Sequence, residues 1–129
     1  MKPFYTLKVV TDFAAAHTLQ GYPGPCSRLH GHNWILEVEV VTHTLDELGM
    51  GLDFKVIKEA ARTLAAELDH RYLNEIEPFD RINPTAENLA AYFFKGLSEL
   101  LNDARVRVQA VTIWETDRAC VTYREVSAT

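Results

Sequence analysis

Between His30 and Val41 the chain reads His-Gly-His-Asn-Trp-Ile-Leu-Glu-Val-Glu-Val-Val, with Trp34, Leu36, Val38 and Val40 at even positions and Asn33, Glu37 and Glu39 at odd ones. A repeat of two belongs to a half-buried strand, because a helix would scatter these side chains around its axis. His30 and His32 share the parity of the apolar set, so the two imidazoles project from the face that is buried. A buried imidazole needs a partner, and a metal ion is one. Cys26 precedes the pair, with three residues between it and His30.

The rest of the chain is read around that strand. From Phe4 to His17 the odd positions Tyr5, Leu7, Val9, Phe13, Ala15 and His17 alternate with Thr6, Lys8 and Asp12, which predicts a first strand whose apolar face ends on His17. Gly21, Pro23, Gly24 and Pro25 mark Thr18 to Leu29 as a loop, and the second strand runs from His30 to His43. After a turn with Gly49 and Gly51, Asp53 stands as an N-cap before a helix over Phe54 to Leu68, its inner face Ile57, Ala61, Leu64 and Leu68. The helix ends at Asp69-His70-Arg71, and Tyr72 to Asn83 reads as loop. Asn83-Pro84-Thr85 offers a cap with proline in the first turn of a second helix, whose inner face is Leu89, Phe93, Leu97 and Leu100. Val106 to Thr116 and Ala119 to Val126 form a hairpin about Asp117-Arg118. The order ββααββ predicts one α+β domain over residues 1–129, a four-stranded antiparallel sheet with two helices packed on one face. Such a sheet leaves two open edges, and pairing them between subunits in a ring-like homo-oligomer would remove that liability.

A hydrophobic content of 47% in 129 residues provides a real core, and a net charge of -5 argues against general nucleic-acid binding, leaving room for a local basic pocket that takes an anionic small molecule. Met1 to Thr6 lacks the apolar core of a signal peptide and no later run is long enough to span a membrane, so a cytoplasmic protein is expected. Two cysteines, Cys26 and Cys120, in a chain with clustered histidines suggest chemistry more than a disulfide; Cys120 receives no role.

Antiparallel pairing of the first two strands would bring His17 to His30 and His32. Three nitrogens with one open position suit catalytic zinc; the competing reading is three separately satisfied core histidines. Cys26 is a thiolate base or nucleophile beside the metal, a fourth structural ligand, or an inert loop thiol. Asp69-His70 is either an acid–base pair, in which the carboxylate fixes the imidazole tautomer, or a helix end where His70 and Arg71 favour the dipole. Glu115, ending an apolar strand, either accepts a forked pair of N–H bonds from a guanidine-like heterocycle edge or is a hairpin-end charge in water. His43 lies among polar residues and reads as solvated.

In their order, Phe13-Ala14-Ala15-Ala16-His17, Cys26 to Asn33, Asp53-Phe54, Leu68-Asp69-His70, Asn83-Pro84-Thr85-Ala86-Glu87-Asn88 and Trp114-Glu115-Thr116 cover almost the whole chain. This pattern resembles the family of 6-pyruvoyl-tetrahydropterin and 6-carboxy-tetrahydropterin synthases. The resemblance implies the tunnelling fold, in which subunits join their sheets into a barrel, as a hexamer built from two trimers or as a tetramer, with active sites between neighbours. It implies zinc on His17, His30 and His32, a base at Cys26, and a relay of Asp69 and His70. It further implies that Glu115 anchors the amino-pyrimidine edge of a pterin, with Thr85 and Glu87 lining the same pocket from a neighbouring chain. The implied substrate is 7,8-dihydroneopterin triphosphate, with zinc as a Lewis acid toward its side-chain hydroxyls while Cys26 and His70 move protons and triphosphate leaves.

The short interval from Cys26 to His30 looks like the bacterial 6-carboxy branch, in queuosine and 7-deazapurine biosynthesis, whose reaction also releases acetaldehyde. A longer interval is commoner in the 6-pyruvoyl branch, which is the alternative, and Cys26 speaks against a branch with glutamate in its place. Ala86 stands where some relatives carry Thr or Ser, implying one fewer hydrogen bond to the pterin. Arg28, Lys55 and Arg71 are the candidates for the triphosphate. Two other readings are a non-catalytic, zinc-stabilised pterin-binding module and a pterin aldolase or cyclohydrolase on the same fold; the histidine spacing disfavours the latter.

Overall fold

The computed structural model of the protein describes residues 1–126, apart from the side chain of Cys26. Strand β1 (Tyr5–His17) and strand β2 (His30–Thr42) pair antiparallel along their whole length, from Tyr5 opposite Thr42 to His17 opposite His30. Helix α1 (Phe54–Ala66) begins at Asp53, whose side chain accepts from the Lys55 amide at 2.9 Å. Strand β3 (Arg71–Tyr72), helix α2 (Ala86–Leu101), strand β4 (Val106–Thr116) and strand β5 (Ala119–Tyr123) follow. The sheet order is β3-β1-β2-β4-β5.

The sheet therefore has five strands and is mixed, not four and wholly antiparallel, because Arg71 and Tyr72 pair parallel with Ala15 and Ala16 at the edge of β1. The physical cause is the turn after α1. The Asp69 carboxylate accepts the Ala14 amide and the His70 amide donates to the Ala14 carbonyl, so the chain is fastened to β1 before it can leave as a loop. Three boundaries also shift. α1 stops at Ala66, although Leu68 is still buried; Pro84 precedes the cap at Thr85 instead of entering the first turn; and β5 ends at Tyr123, short of Val126. In α2 the inner face runs Leu89, Phe93, Leu97, Leu101, while Leu100 is 55% exposed.

Both helices cover one face of the sheet. Ile57, Ala61 and Ala65 of α1 and Ala90, Phe93 and Leu97 of α2 join Val9, Phe13, Trp34, Leu36, Val38 and Ile113 in one apolar core. No helix among the described residues is long and apolar enough to cross a membrane. The other face carries Lys8, Asp12, Glu37 and Glu39, with a Lys8 to Glu37 contact of 3.7 Å. One register irregularity positions the site. Val40 pairs with Val108 but Glu39 with Ala110, so Gln109 is an extra residue that bulges out of β4 and reverses which parity faces the core. Before it Val106 and Val108 point inward; after it Val111 and Ile113 do, and Glu115 continues that inward set.

The turn before α1 presses equally hard on the sheet. A Cβ on the buried Gly51 would lie 2.8 Å from the Thr42 methyl and 3.1 Å from Leu7. Thr42 is 1% exposed and its hydroxyl is tied to the Thr44 carbonyl, so the methyl has no alternative rotamer free of cost. Gly51→Ala is predicted to destabilise the fold by about 1–3 kcal/mol through overpacking, measured by urea unfolding; unchanged stability would show that this turn packs loosely.

Candidate active site

The register of β1 and β2 assembles the site from the strands upward. His17 faces His30 directly, Ala15 faces His32, and Phe13 faces Trp34. The small side chain of Ala15 leaves room for the His32 ring to lean toward His17, their centroids 5.2 Å apart. Trp34, wholly buried, stands edge-on behind both rings at about 5 Å and donates its indole N–H to the Ala15 carbonyl. The histidines thus close one end of the core, and His17 is 1% exposed.

Two carbonyls decide the protonation of the rings. His17 Nδ1 lies 2.8 Å from the Pro84 carbonyl and His30 Nδ1 lies 2.6 Å from the Arg28 carbonyl. A carbonyl only accepts, so each Nδ1 carries the proton of the neutral ring and each Nε2 presents a lone pair. Those two Nε2 atoms face one another at 3.0 Å. Two acceptors at that separation repel unless a cation lies between them and the space beyond. His32 Nε2 is buried, and its one close polar neighbour, Glu115 Oε1 at 3.1 Å, does not meet hydrogen-bond geometry. Burial pushes His17 and His32 below the ordinary histidine range; the Pro84 hydrogen bond at His17 and the Glu115 charge at both pull upward without overcoming it. Neutral imidazole is the form that binds a metal.

These donors fit a divalent ion. One ligand atom each from His17, His30, His32 and Glu115 falls within 4.8 Å of the others. Ligands at about 2.0–2.1 Å around a tetrahedral ion stand about 3.3 Å apart, and nitrogen-rich donor sets of this kind suit zinc. Pro84 and Arg28 satisfy one nitrogen of two rings, and the nitrogens that remain converge, which favours the metal reading of the histidines over separate satisfaction.

Asp69 and His70 form the second group. Asp69 Oδ1 accepts the Ala14 amide at 2.8 Å, and Oδ2 lies 3.0 Å from His70 Nδ1, so a carboxylate fixed to β1 holds the proton of His70 on Nδ1 and turns Nε2 outward. His70 is 81% exposed at its side chain and its backbone sits at φ 59°, a conformation that a β-substituted residue adopts at a cost. Asp69 and His70 share a cavity of about 720 Å³ with Asn33, Ile35 and Glu115; a neighbouring one of about 510 Å³ contains His32, Asn33, His70 and Arg71. The two cavities share Ala14, Asn33 and His70 as walls, so they adjoin; of the ring cluster His32 lines the smaller one and Glu115 the larger, while His17 and His30 line neither.

The remaining expected residues are placed as follows. Thr85 caps α2 by accepting the Asn88 amide at 3.1 Å, Glu87 is exposed in the first turn, and neither lines the two cavities. Arg71 borders the smaller cavity; Arg28 and Lys55 serve through their backbones, as acceptor for His30 and donor to Asp53. Cys26 sits in a single 3-10 turn, Pro25–Ser27, and its side chain lies outside the described residues. Residues that pattern reading does not find are Pro84 and Arg28, whose carbonyls set the tautomers, and Gln109, whose bulge aims Glu115. The adjacency of two core residues, Ala110-Val111, is the signal for that bulge.

The Ala14 amide, and after it His70, hold the Asp69 carboxyl below the ordinary carboxylate value of 3.8. A lowered folded-state value stabilises the fold above the unfolded value and is lost as pH falls through the folded one. Wild-type protein is predicted to melt above Asp69→Asn near neutral pH, with the gap closing below pH 3.8; a gap of constant size down to strong acid would mean that the Ala14 contact is not made by the charged carboxylate.

The description 6-pyruvoyl tetrahydropterin synthase belongs to the family model that matches residues 6–126. A 6-carboxy-5,6,7,8-tetrahydropterin synthase of Rickettsia typhi is 31% identical over 128 aligned residues, spanning 85% of this chain and 93% of its own. One of Aquifex aeolicus is 32% identical over 123, spanning 78% and 76%. Among solved structures, the 6-pyruvoyl tetrahydropterin synthase of Caenorhabditis elegans superposes with a TM-score of 0.83 at 28% identity, over 96% of this chain and 97% of that one. With the strand register, the ring cluster and the Asp69-His70 contact in place, the match over nearly the full length leaves one assignment: the chain belongs to the 6-pyruvoyl tetrahydropterin synthase family.

Proposed function

We propose that the protein is a cytoplasmic, single-domain, zinc-dependent lyase that converts 7,8-dihydroneopterin triphosphate to 6-carboxy-5,6,7,8-tetrahydropterin, releasing triphosphate and acetaldehyde, a step of queuosine and 7-deazapurine biosynthesis. The observation that carries the reading is the convergence of His17, His30 and His32 beside a depression that also holds His70 and Glu115. The relatives of 31% and 32% identity, both named 6-carboxy-5,6,7,8-tetrahydropterin synthases, support the carboxy product. The 6-pyruvoyl product is the second reading, favoured by the solved structure of 28% identity and that name.

His17, His30 and His32 would hold the zinc ion, which supplies Lewis acidity without changing its redox state. The protein's own side chains do the rest. Asp69 keeps the His70 proton on Nδ1, so His70 Nε2 is free to take a proton from substrate and return it. Cys26 is the second base, on the loop that delivers His30. Glu115 accepts the amino-pyrimidine edge through two parallel N–H bonds, the geometry in which a carboxylate receives guanidinium. Arg71, at the wall of the smaller cavity, is the candidate of the three that lies where a triphosphate tail could reach. Thr85 and Glu87 would take part from a neighbouring subunit. The outer edge of β1 is open from Tyr5 to Phe13 and β5 is short, and pairing of such edges supports a barrel-like homo-oligomer, a hexamer or tetramer, with sites between subunits.

Protein purified without chelator is expected to contain about one zinc per chain and to consume dihydroneopterin triphosphate, with metal removal abolishing turnover. Mass analysis of the product, showing carboxy-pterin with acetaldehyde, supports the first reading; pyruvoyl-pterin would replace it with the second, and ligand binding without any product would make the protein a non-catalytic module. Cys26→Ala should keep its zinc and lose turnover by about 10²–10⁴-fold, as for a missing general base. Loss of the metal along with activity would instead make Cys26 a ligand.

A further inference from the structure

Glu115 stands nearer to the histidines than an anchor for a heterocycle requires. Its Oε1 is 3.1 Å from His32 Nε2 and 3.7 Å from His17 Nε2, against 3.0 Å between the His17 and His30 nitrogens. These three separations bracket the about 3.3 Å edge of a tetrahedral zinc site. At 3.1 Å the His32 to Glu115 contact is close, yet it does not meet hydrogen-bond geometry, and His32 Nε2 is buried with no other partner. The carboxylate oxygen and the three ring nitrogens instead form one cluster, each ligand atom within 4.8 Å of the others.

The carboxylate is also free to leave. Glu115 is the extra residue where Trp114 pairs with Cys120 and Thr116 with Ala119, so β5 does not hold it, and β2 pairing ends one residue earlier at Ile35 and Trp114. Its side chain is 34% exposed and forms a wall of the larger cavity, next to His70 and Asn33. A residue released from both ladders can turn between the rings and the cavity without breaking the sheet.

We propose that Glu115 exchanges partners: in the substrate-free protein it is the fourth ligand of the ion held by His17, His30 and His32, and the amino-pyrimidine edge of the substrate draws it away. One coordinate bond is given up and two charge-assisted N–H bonds form on the same carboxylate. The ion's fourth place then opens only when a pterin is seated, which keeps the resting Lewis acid from other anions and from water. The first partner rests on the ring cluster alone; the second rests on the pterin reading above.

The test uses full-length protein loaded with Co2+, whose visible spectrum reports its ligands. Glu115→Gln and Glu115→Asp, the latter keeping the charge but shortening the arm by one methylene, should each weaken Co2+ in chelator competition. The loss should at least match the about 10- to 100-fold that even an indirect partner of a metal ligand carries. Glu37→Gln, which removes a charge on the neighbouring strand that bonds Trp114 Nε1, should leave Co2+ affinity at the wild-type value. Unsubstituted pterin, which has the amino-pyrimidine edge and no hydroxylated side chain, should move the wild-type spectrum toward that of Glu115→Gln, with binding followed by pterin fluorescence. Wild-type affinity and spectrum in both Glu115 variants, or a saturated pterin site with an unmoved spectrum, would overturn the exchange while leaving the lyase reading intact. Absence of pterin binding would defeat both, and absence of Co2+ binding would defeat the metal centre itself.

Discussion

Two backbone carbonyls, those of Pro84 and Arg28, hold the chemistry of this molecule in place. Each takes the Nδ1 proton of a histidine and thereby turns an unprotonated Nε2 toward its neighbour. The two Nε2 atoms so presented meet at 3.0 Å, on rings of which His17 is 1% exposed. The rings lie at the end of a large apolar core, where Trp34, Phe13 and Phe93 pack the layer behind them. Lone pairs brought together at one place, on rings fixed by backbone acceptors, are what a metal-binding site requires of its ligands.

Around that point the sheet separates two functions by face and by edge. The β1 to β2 register puts the rings on the face covered by helices, while the edge of β1 carries Asp69, His70 and β3. His70 gains its orientation from Asp69, and Asp69 gains its own from the Ala14 amide, so the relay is anchored to the same strand that carries His17. Glu115 arrives from the far side of β2 because one extra residue, Gln109, changes the inward parity of β4. The three histidines and the Asp69-His70 turn therefore share a frame set by backbone hydrogen bonds, whereas Glu115 is the unpaired residue of a bulge.

Much of this is legible in the residues. The alternation from His30 to Val41 carries β2, its register and the direction of both rings, and the parity of His17 at the end of β1 completes the cluster. Asp53 and Thr85 announce the helices as caps, and both side chains accept the expected amides. What escapes has a common physical character. Strand β3 has two residues, too few for any period, and exists through side-chain and backbone bonds to Ala14. Leu101, not Leu100, continues the inner face of α2, because a spacing of three or four from Leu97 suits a helix equally and only packing against the sheet decides. The Glu115 position depends on two bulges, and a bulge resets parity without altering the hydrophobic count. The carbonyls of Pro84 and Arg28 carry no side-chain signature at all. Periodicity reveals faces; it is silent on backbone acceptors and on register shifts.

The central claim is that His17, His30 and His32 share one ion through their Nε2 atoms. Diffraction from crystals of the zinc-loaded protein, recorded on both sides of the zinc absorption edge, tests it directly. The account predicts a single anomalous peak per chain at about 2.0–2.1 Å from all three nitrogens. A peak bound elsewhere, or rings still in mutual contact with no peak between them, would contradict it.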